Sequence, residues 1–526
     1  MRKEIGNITI KIKSTKKKIA DVLLRETGAY DIEGKVESVR QTKGPTIFTI
    51  SDGSGAIECC GFVGAGKRAY PNITVGDAVN AAISVSEKDG RKRNEIQLLA
   101  KVSDAEKGVV LKKMADEVKS RASVEGGEFL VKSEALEKLR DSMVRAASEI
   151  KRAIVEGAPI YLRHHADVDG YAGAIALEQV ILMLIGQYHA GDGDAVYKFY
   201  NRTPSKAPFY EYADVIRDIA DATRAKNRFG QKNPLVLLVD NGSTAEDVLS
   251  IRKAKIYGLK IVVIDHHNPG KIDGGKSEVD KFVDVHVNPY LAGADKNITA
   301  GMLACETAGM IRDVKEPALL CALSGVGDHA KGAEFEQYLE MCGRKVEYLK
   351  KIALCVDFEA HYLRFLSDSC VISDLIYGKE NLVELLFDEV SVKIEEQRAV
   401  CVHYMKDRTL KNGIVLAMLD MDSVTRRGEF PQAGKTVGLA HEIACEKNKG
   451  KTVVSVGFGP DFVTIRATLD AEKKGFDVNK IVEHLRKKMP YCAADGGGHE
   501  VAGSIKFVAG AKDEILKEFK DYVEGL

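Results

Sequence analysis

Four short clusters of aspartate and histidine carry the chemistry of this sequence. They are His165-Ala166-Asp167-Val168-Asp169-Gly170, Asp240-Asn241-Gly242-Ser243, Asp265-His266-His267 and Gly327-Asp328-His329. Carboxylates mixed with imidazoles suit Mn²⁺, and the carboxylate share also admits Mg²⁺. Hydrolysing a phosphodiester needs a hydroxide at neutral pH and neutralised charge on the phosphoryl oxygens. Two divalent ions about 3.5–4 Å apart supply both. In His165-x-Asp167-x-Asp169, alternate residues point to one side of an extended chain, and Gly170 lets that chain turn tightly into a helix. A lone Asp-Asn-Gly or His-His pair is ordinary loop material. Four clusters at one structural address are not.

That address follows from the surrounding elements. Pro159–Arg163, Pro234–Val239 and Lys260–Ile264 are continuous apolar strands, and three of the clusters follow directly after them. Helices are expected over Gly170–Ile185 and Ala245–Tyr257. Strands apolar on both faces, alternating with helices, predict an α/β fold with a doubly wound parallel sheet. Such sheets bind ligands at the carboxyl ends of their strands. The fourth cluster closes an apolar stretch from Leu319 and reaches the same edge from a helix end.

Around this sheet the pattern predicts a basic segment over 1–25, a small β-barrel over 26–104 and a helical connector over 105–150. The catalytic domain spans 151–398, and a smaller α/β unit spans 399–526. A chain of 526 residues holds two to four domains. Its 45% hydrophobic and 29% charged content is ordinary for globular protein. No run approaches the ~18–20 uninterrupted apolar residues of a membrane span, and no apolar signal region follows Met1, so no membrane partner is expected. The cysteines show no C-x-x-C spacing, which argues against a zinc site or disulfide framework and points to a reducing cytoplasm. Net charge is zero, but Arg2, Lys3, Lys11, Lys13, Lys16, Lys17, Lys18 and Arg25 crowd the first segment, a solvated arm or an attractor of phosphates.

With these residues the chain resembles the DHH phosphoesterase superfamily, named for the triplet that stands here as Asp265-His266-His267. Within it the chain is similar to RecJ-like single-strand exonucleases, in particular archaeal forms with an added barrel. The resemblance runs from about Arg152 to the C-terminus and places metal ligands on His165, Asp167, Asp169, Asp240, His266 and Asp328. It implies one ion on His165, Asp167 and Asp240 and a second on Asp169, Asp240, His266 and Asp328, with Asp240 bridging. It gives His267 a phosphate-facing catalytic role and Asp265 a supporting one.

Asp495-Gly496-Gly497-Gly498-His499 resembles the GGGH signature of the superfamily's accessory domain. Its glycine amides are expected to nest around phosphate, so that Gly497, Gly498 and His499 bind substrate together with Arg466. The resemblance places Arg466 and His499 over the cleft. His286-Val287-Asn288-Pro289 and Asn297-Ile298-Thr299-Ala300-Gly301 are further landmarks, read as structural, with Thr299 expected to cap a helix. Gly61-x-x-x-x-Gly66-Lys67 imitates a phosphate loop, but Arg68 replaces its Ser or Thr and Pro71 follows too soon.

The barrel resembles an OB-fold, a module that stacks bases on aromatics and tracks the backbone with cations. Phe48, Phe62 and Tyr70 are candidate platforms, with Arg40, Lys43, Lys67 and Arg68 nearby. The implied partners are single-stranded nucleic acid and replication or repair proteins. Two other functions compete: degradation of very short RNAs or cyclic dinucleotides, and a scaffold related to the replicative-helicase cofactor of the superfamily. Polarity of digestion and DNA-versus-RNA preference are not encoded in any motif.

Overall fold

The computed structural model describes residues 2–5, 8–11, 15–23, 27–88, 91–189, 192–363, 366, 370–426 and 428–526. Lys13 and Arg25 of the basic cluster lie outside the described residues. Lys18 of that cluster pairs with Glu117 at 2.8 Å. The chain forms two compact units, residues 1–344 and 345–526.

The first unit opens with a barrel of five strands, β1 Gly28–Gln41, β2 Thr46–Ser51, β3 Ala56–Gly61, β4 Ala78–Lys88 and β5 Arg91–Lys101. Hydrogen bonding runs β1-β2-β3-β5-β4, and β4 closes back on β1. Alternation in β1 drives this: Tyr30, Ile32 and Val36 point inward with Phe48, Ile50, Ile57 and Cys59. The expected connector is two helices, α1 Asp104–Ala122 and α2 Glu134–Glu156. Ser133 caps α2 by accepting from Leu136 N, and Gly157 ends it in the left-handed region at φ 67°.

The parallel sheet comprises β6 Ile160–His165, β7 Tyr200–Ser205, β8 Leu235–Val239, β9 Lys260–Ile264 and β10 Val285–Val287. All pair in parallel, in the order β7-β6-β8-β9-β10. Helices α3 Val168–Tyr188, α4 Ala195–Phe199, α5 Tyr212–Phe229, α6 Val248–Ile256, α7 Ala300–Ile311 and α8 Pro317–Gly327 complete this region. Among the described residues α3 alone is long and apolar enough to cross a membrane, but 78% of that window is buried within the protein. It is a core helix. β7 escapes a sequence reading because it is polar and contains Pro204; its edge position tolerates both.

The second unit holds a mixed sheet of β11 Lys406–Thr409, β12 Val415–Asp420, β13 Val453–Phe458, β14 Phe462–Ala467, β15 Asp495–His499 and β16 Ala502–Lys506. Their order is β11-β12-β13-β14-β16-β15. Helices α9 Val346–Leu363 and α10 Glu380–Tyr404 precede it, and α11 Ala433–Lys447, α12 Val478–Lys488 and α13 Lys512–Glu524 follow within it. Residues 345–398, expected with the catalytic domain, belong to this second unit. The reason is packing: Cys401 at the end of α10 shares a core with Val415 and Ala417 of β12 and with Val437 and Ala440 of α11.

Candidate metal centre

β6, β8 and β9 run in parallel and in register, with Val239 beside both His164 and Ile264. The residues that follow their carboxyl ends therefore converge. His165 Nδ1 lies 2.7 Å from Asp167 Oδ2 and 3.3 Å from Asp240 Oδ2. His266 Nε2 lies 3.0 Å from Asp328 Oδ2, 3.4 Å from Asp240 Oδ1 and 3.6 Å from Asp169 Oδ2. Three triads able to hold a cation result within this unit, His165–Asp167–Asp240, Asp169–Asp240–His266 and Asp240–Asp265–His267, each with ligand atoms within 4.8 Å of one another. Asp240 belongs to all three. Asp328 enters from the C-cap of α8, so its placement depends on where that helix stops.

Three observations fit this donor set to cations. Both carboxylate oxygens of Asp240 are buried, and no donor reaches them in hydrogen-bonding geometry, a costly state unless something else binds them. Asp240 also sits at φ 56°, a left-handed conformation that a non-glycine residue adopts at a cost. His266 Nδ1 is 2.8 Å from the Lys296 carbonyl oxygen, which can only accept. Nδ1 therefore keeps its proton, and Nε2, which faces the acids, is the nitrogen a cation would take.

The electrostatics point the same way. Burial, then Asp240 and Asp328, push the Asp169 carboxyl well above the carboxylate range. Burial also raises Asp240, with Asp167 adding to it. Burial opposes the His165 imidazolium, yet Asp167 beside it holds it well above the usual histidine range. So many buried carboxylates call for positive charge, which protonated imidazoles supply here and divalent ions would supply better.

Gly170 is indispensable to the first cluster. A Cβ there would meet the His165 carbonyl oxygen at 2.1 Å. Gly170 N instead donates to Asp167 Oδ1 at 3.0 Å, which starts α3. Asp169 Oδ2 accepts from Ala300 N at 3.0 Å, and Oδ1 accepts from Gly301 N at 2.7 Å. Asp169 thus caps α7, and Thr299 does not. The Thr299 hydroxyl is turned to the Ser324 hydroxyl, because the carboxylate is the stronger acceptor for those amides.

Asp265 supports the centre from behind. Its Oδ1 accepts from His266 N (2.7 Å), His267 N (3.2 Å) and His267 Nδ1 (2.8 Å), and its Oδ2 accepts from Ser243 N (3.0 Å). Asn288 Nδ2 donates to Ser243 Oγ and to the His267 carbonyl, each at 2.9 Å. His286 Nε2 completes the chain at 2.9 Å from Ser243 Oγ. Sequence reasoning left Ser243, His286 and Asn288 without a role at the centre; polar residues just past strand ends were the available signal. His164 is buried against Tyr171, and burial pushes it down to about 3, so it stays neutral.

In the second unit Arg466 and His499 share one row of the sheet. Ser455 pairs with Arg466, Arg466 with Ala502, and Ala502 with His499. The glycine run forms the edge strand β15, with Gly497 opposite Ser504. Cβ atoms at Gly496 and Gly498 would meet the Ser504 and Ala502 carbonyl oxygens at 2.1 and 2.4 Å, at φ 141° and 145°. Close strand approach accounts for these glycines.

The barrel aromatics divide. Phe48 is fully buried with Tyr70 edge-on at 6.2 Å, so Phe48 is core and no platform. The reason is its inward register on β2. Phe62 is 65% exposed. Arg68 is spent on the Ile73 carbonyl at 2.9 Å.

Comparison with known proteins follows this division. Residues 159–326 match the family model of the DHH family, N-terminal domain, and residues 30–102 match that of the OB-fold nucleic acid binding domain. The uncharacterised protein MJ1198 of Methanocaldococcus jannaschii is 43% identical over 523 residues, covering 94% of this chain and 68% of that protein. A solved DHH domain, described as coming from a member of a family of ribosomal proteins, is 41% identical. It superposes with TM-score 0.76 over 81% of this chain and 100% of its own. RecJ of Thermus thermophilus in complex with Mn²⁺ is 16% identical with TM-score 0.48, over 78% of this chain and 57% of that one.

Proposed function

Because the chain belongs to the DHH family, we propose that it is a metal-dependent phosphodiesterase that shortens single-stranded nucleic acid. DNA is the expected substrate, and RNA a further one. The observation that carries this reading is Asp240, a buried carboxylate that no donor meets in good hydrogen-bonding geometry and that three ligand triads share. One ion would be held by His165, Asp167 and Asp240, the other by Asp169, Asp240, His266 and Asp328. Two such ions, Mn²⁺ or Mg²⁺, would supply the activated nucleophile and neutralise the phosphoryl oxygens.

The protein's own residues do the rest. Asp265 accepts from the Nδ1–H of His267 and fixes the ring, leaving Nε2 to meet the scissile phosphate or the leaving oxygen. Arg466 and His499 grip substrate phosphates through charge and position. The OB-fold supports a polymer over a dinucleotide, since a dinucleotide needs no separate strand-binding module. The complete ligand set argues against a pure scaffold, while contacts with replication proteins remain compatible with it.

End-labelled DNA and RNA strands of graded length, incubated with Mn²⁺, test the reading. The chain should shorten them stepwise, and Asp240→Asn should abolish hydrolysis without unfolding the protein. Near-normal turnover by a folded Asp240→Asn protein would overturn the two-ion assignment.

A further inference from the structure

β10 carries one polar side chain, His286, between Val285 and Val287, and all three residues are buried. Alternation along a strand sends the imidazole to the opposite face from the two valines. A buried imidazole needs a partner for each nitrogen, and both are present. Nδ1 lies 3.3 Å from Asp280 Oδ1, and Nε2 lies 2.9 Å from Ser243 Oγ. Asp280 is fixed in turn, since its Oδ2 accepts from Ser277 N at 2.6 Å and from Ser277 Oγ at 2.8 Å. Partial burial raises the Asp280 carboxyl, but His286 and then Ser277 outweigh it and hold it down at about 2. A carboxylate can only accept, so His286 Nδ1 carries a proton. Nε2 is the nitrogen left for Ser243.

Ser243 is where this line of bonds meets the Asp265-His266-His267 triplet, and two routes run from it to His267. Along the first, Ser243 N donates to Asp265 Oδ2 at 3.0 Å, and Asp265 Oδ1 holds His267 Nδ1 at 2.8 Å. Along the second, Asn288 Nδ2 gives one hydrogen to Ser243 Oγ and the other to the His267 carbonyl oxygen, each at 2.9 Å. Asn288 Oδ1 accepts from Tyr290 N at 3.0 Å, so this amide cannot turn over without losing bonds. The first route fixes the His267 ring and the second fixes the backbone behind it. β10 also meets the triplet through Asp265 N, which donates to the Val287 carbonyl oxygen at 3.0 Å. Neither nitrogen of His286 faces a metal ligand. Its bearing on the centre passes through the Ser243 hydroxyl.

We propose that His286, steadied by Asp280, is a positioning residue for hydrolysis: it holds the Ser243 hydroxyl so that Asn288 and Asp265 keep His267 aimed at the scissile phosphate. Once nothing meets that hydroxyl from the Nε2 side, it turns, and Asn288 loses the oxygen to which it donates. The ring and backbone of His267 then gain freedom together. A group that acts on the reacting phosphate loses turnover when it is misplaced, while capture of substrate and of metal is spared. Groups one bond out from a metal centre are worth ~10–100-fold, and His286, a bond further out, is expected at the lower end of that range.

The inference rests on the phosphodiesterase reading above, and one of its readouts needs no turnover. Full-length variants are compared with Mn²⁺ on bis(p-nitrophenyl) phosphate. The His267 Nδ1–H proton is followed by NMR in ¹⁵N-histidine-labelled protein with diamagnetic Mg²⁺. Asparagine places its amide where Nδ1 stands, and glutamine where Nε2 stands. His286→Asn should therefore lower kcat about tenfold, with KM and calorimetric Mn²⁺ affinity unchanged. His286→Gln, which still reaches Ser243, should recover most of that loss. The His267 signal should move in His286→Asn and hold its place in His286→Gln. Ser243→Ala should match His286→Asn, and the double variant should be no worse than Ser243→Ala alone. A packing role predicts equal effects from asparagine and glutamine; that result, or an additive double variant, would overturn the proposal. If the wild type hydrolyses no phosphodiester, the phosphodiesterase reading fails and the His267 signal decides this one. Movement in His286→Asn alone upholds it, and a signal unmoved in both variants overturns it.

Discussion

Asp265→Asn is a one-atom change whose consequence follows from the hydrogen bonds around it. The carboxylate is fully buried and accepts four bonds, three on Oδ1 and one on Oδ2. His267 beside it, despite burial, holds the Asp265 carboxyl below the usual carboxylate range. An asparagine has one accepting oxygen, so its better orientation keeps the three bonds from His266 and His267 and turns Nδ2 toward Ser243 N. That leaves two donors facing each other and a buried amide unsatisfied, which costs about 1–3 kcal/mol. The lost charge also weakens the bond to His267 Nδ1, since bonds to charged groups contribute about 1.5–3 kcal/mol. A net loss of about 3 kcal/mol is expected, seen as an apparent melting temperature lower by several degrees. Mn²⁺ affinity by calorimetry should fall ~10–100-fold, because the ligand His266 loses part of its support. A melting temperature within about 1 °C of wild type, with unaltered Mn²⁺ affinity, would refute this account of Asp265.

Gly170→Ala should dislocate His165 and Asp167 together, because the new Cβ has only 2.1 Å to the His165 carbonyl oxygen; calorimetry should show Mn²⁺ binding weakened beyond ~100-fold. Arg466→Ala and His499→Ala should keep Mn²⁺ binding and lose most strand hydrolysis, with a small activated phosphodiester affected less. Arg466→Lys should rescue only part, since an ammonium lacks the guanidinium fork. Loss of metal binding in either variant contradicts the division of labour. In the barrel, Lys101 first and Thr74 after it hold the Asp77 carboxyl down at about 2. A depressed carboxyl contributes stability above its unfolded value near about 4 and loses it as pH falls through about 2. Protection factors of the barrel amides should therefore fall over that window, and Asp77→Asn should flatten the dependence.

Three strands of the parallel sheet, β6, β8 and β9, were legible because they are apolar runs that each end on a polar cluster. Asp240 and Asp265 could be placed at one edge for that reason alone. Phe48 was not legible: an aromatic in an alternating strand reads equally well from either face until the barrel closes around it. Thr299 failed as a cap because its competitor, Asp169, lies 130 residues earlier in the sequence. The close strand approach that requires glycine at 496 and 498 depends likewise on pairing with β16, which the run itself does not reveal. Long-range partners decide these cases, and local spacing does not contain them.

The all-apolar character of α3 sets a problem of timing during synthesis. Its last residue leaves the ribosome well before α7 and α8, the helices that pack most heavily against it. From Tyr188 to Gly327 the chain must grow by about 140 residues, which at ~5–20 residues per second takes roughly 7–28 s. Through that interval a helix with the length and hydropathy of a membrane span is exposed on a nascent chain. Its escape from membrane-targeting factors and aggregation depends on the barrel and α2, which are made first, or on a chaperone that holds it until residue 327 emerges.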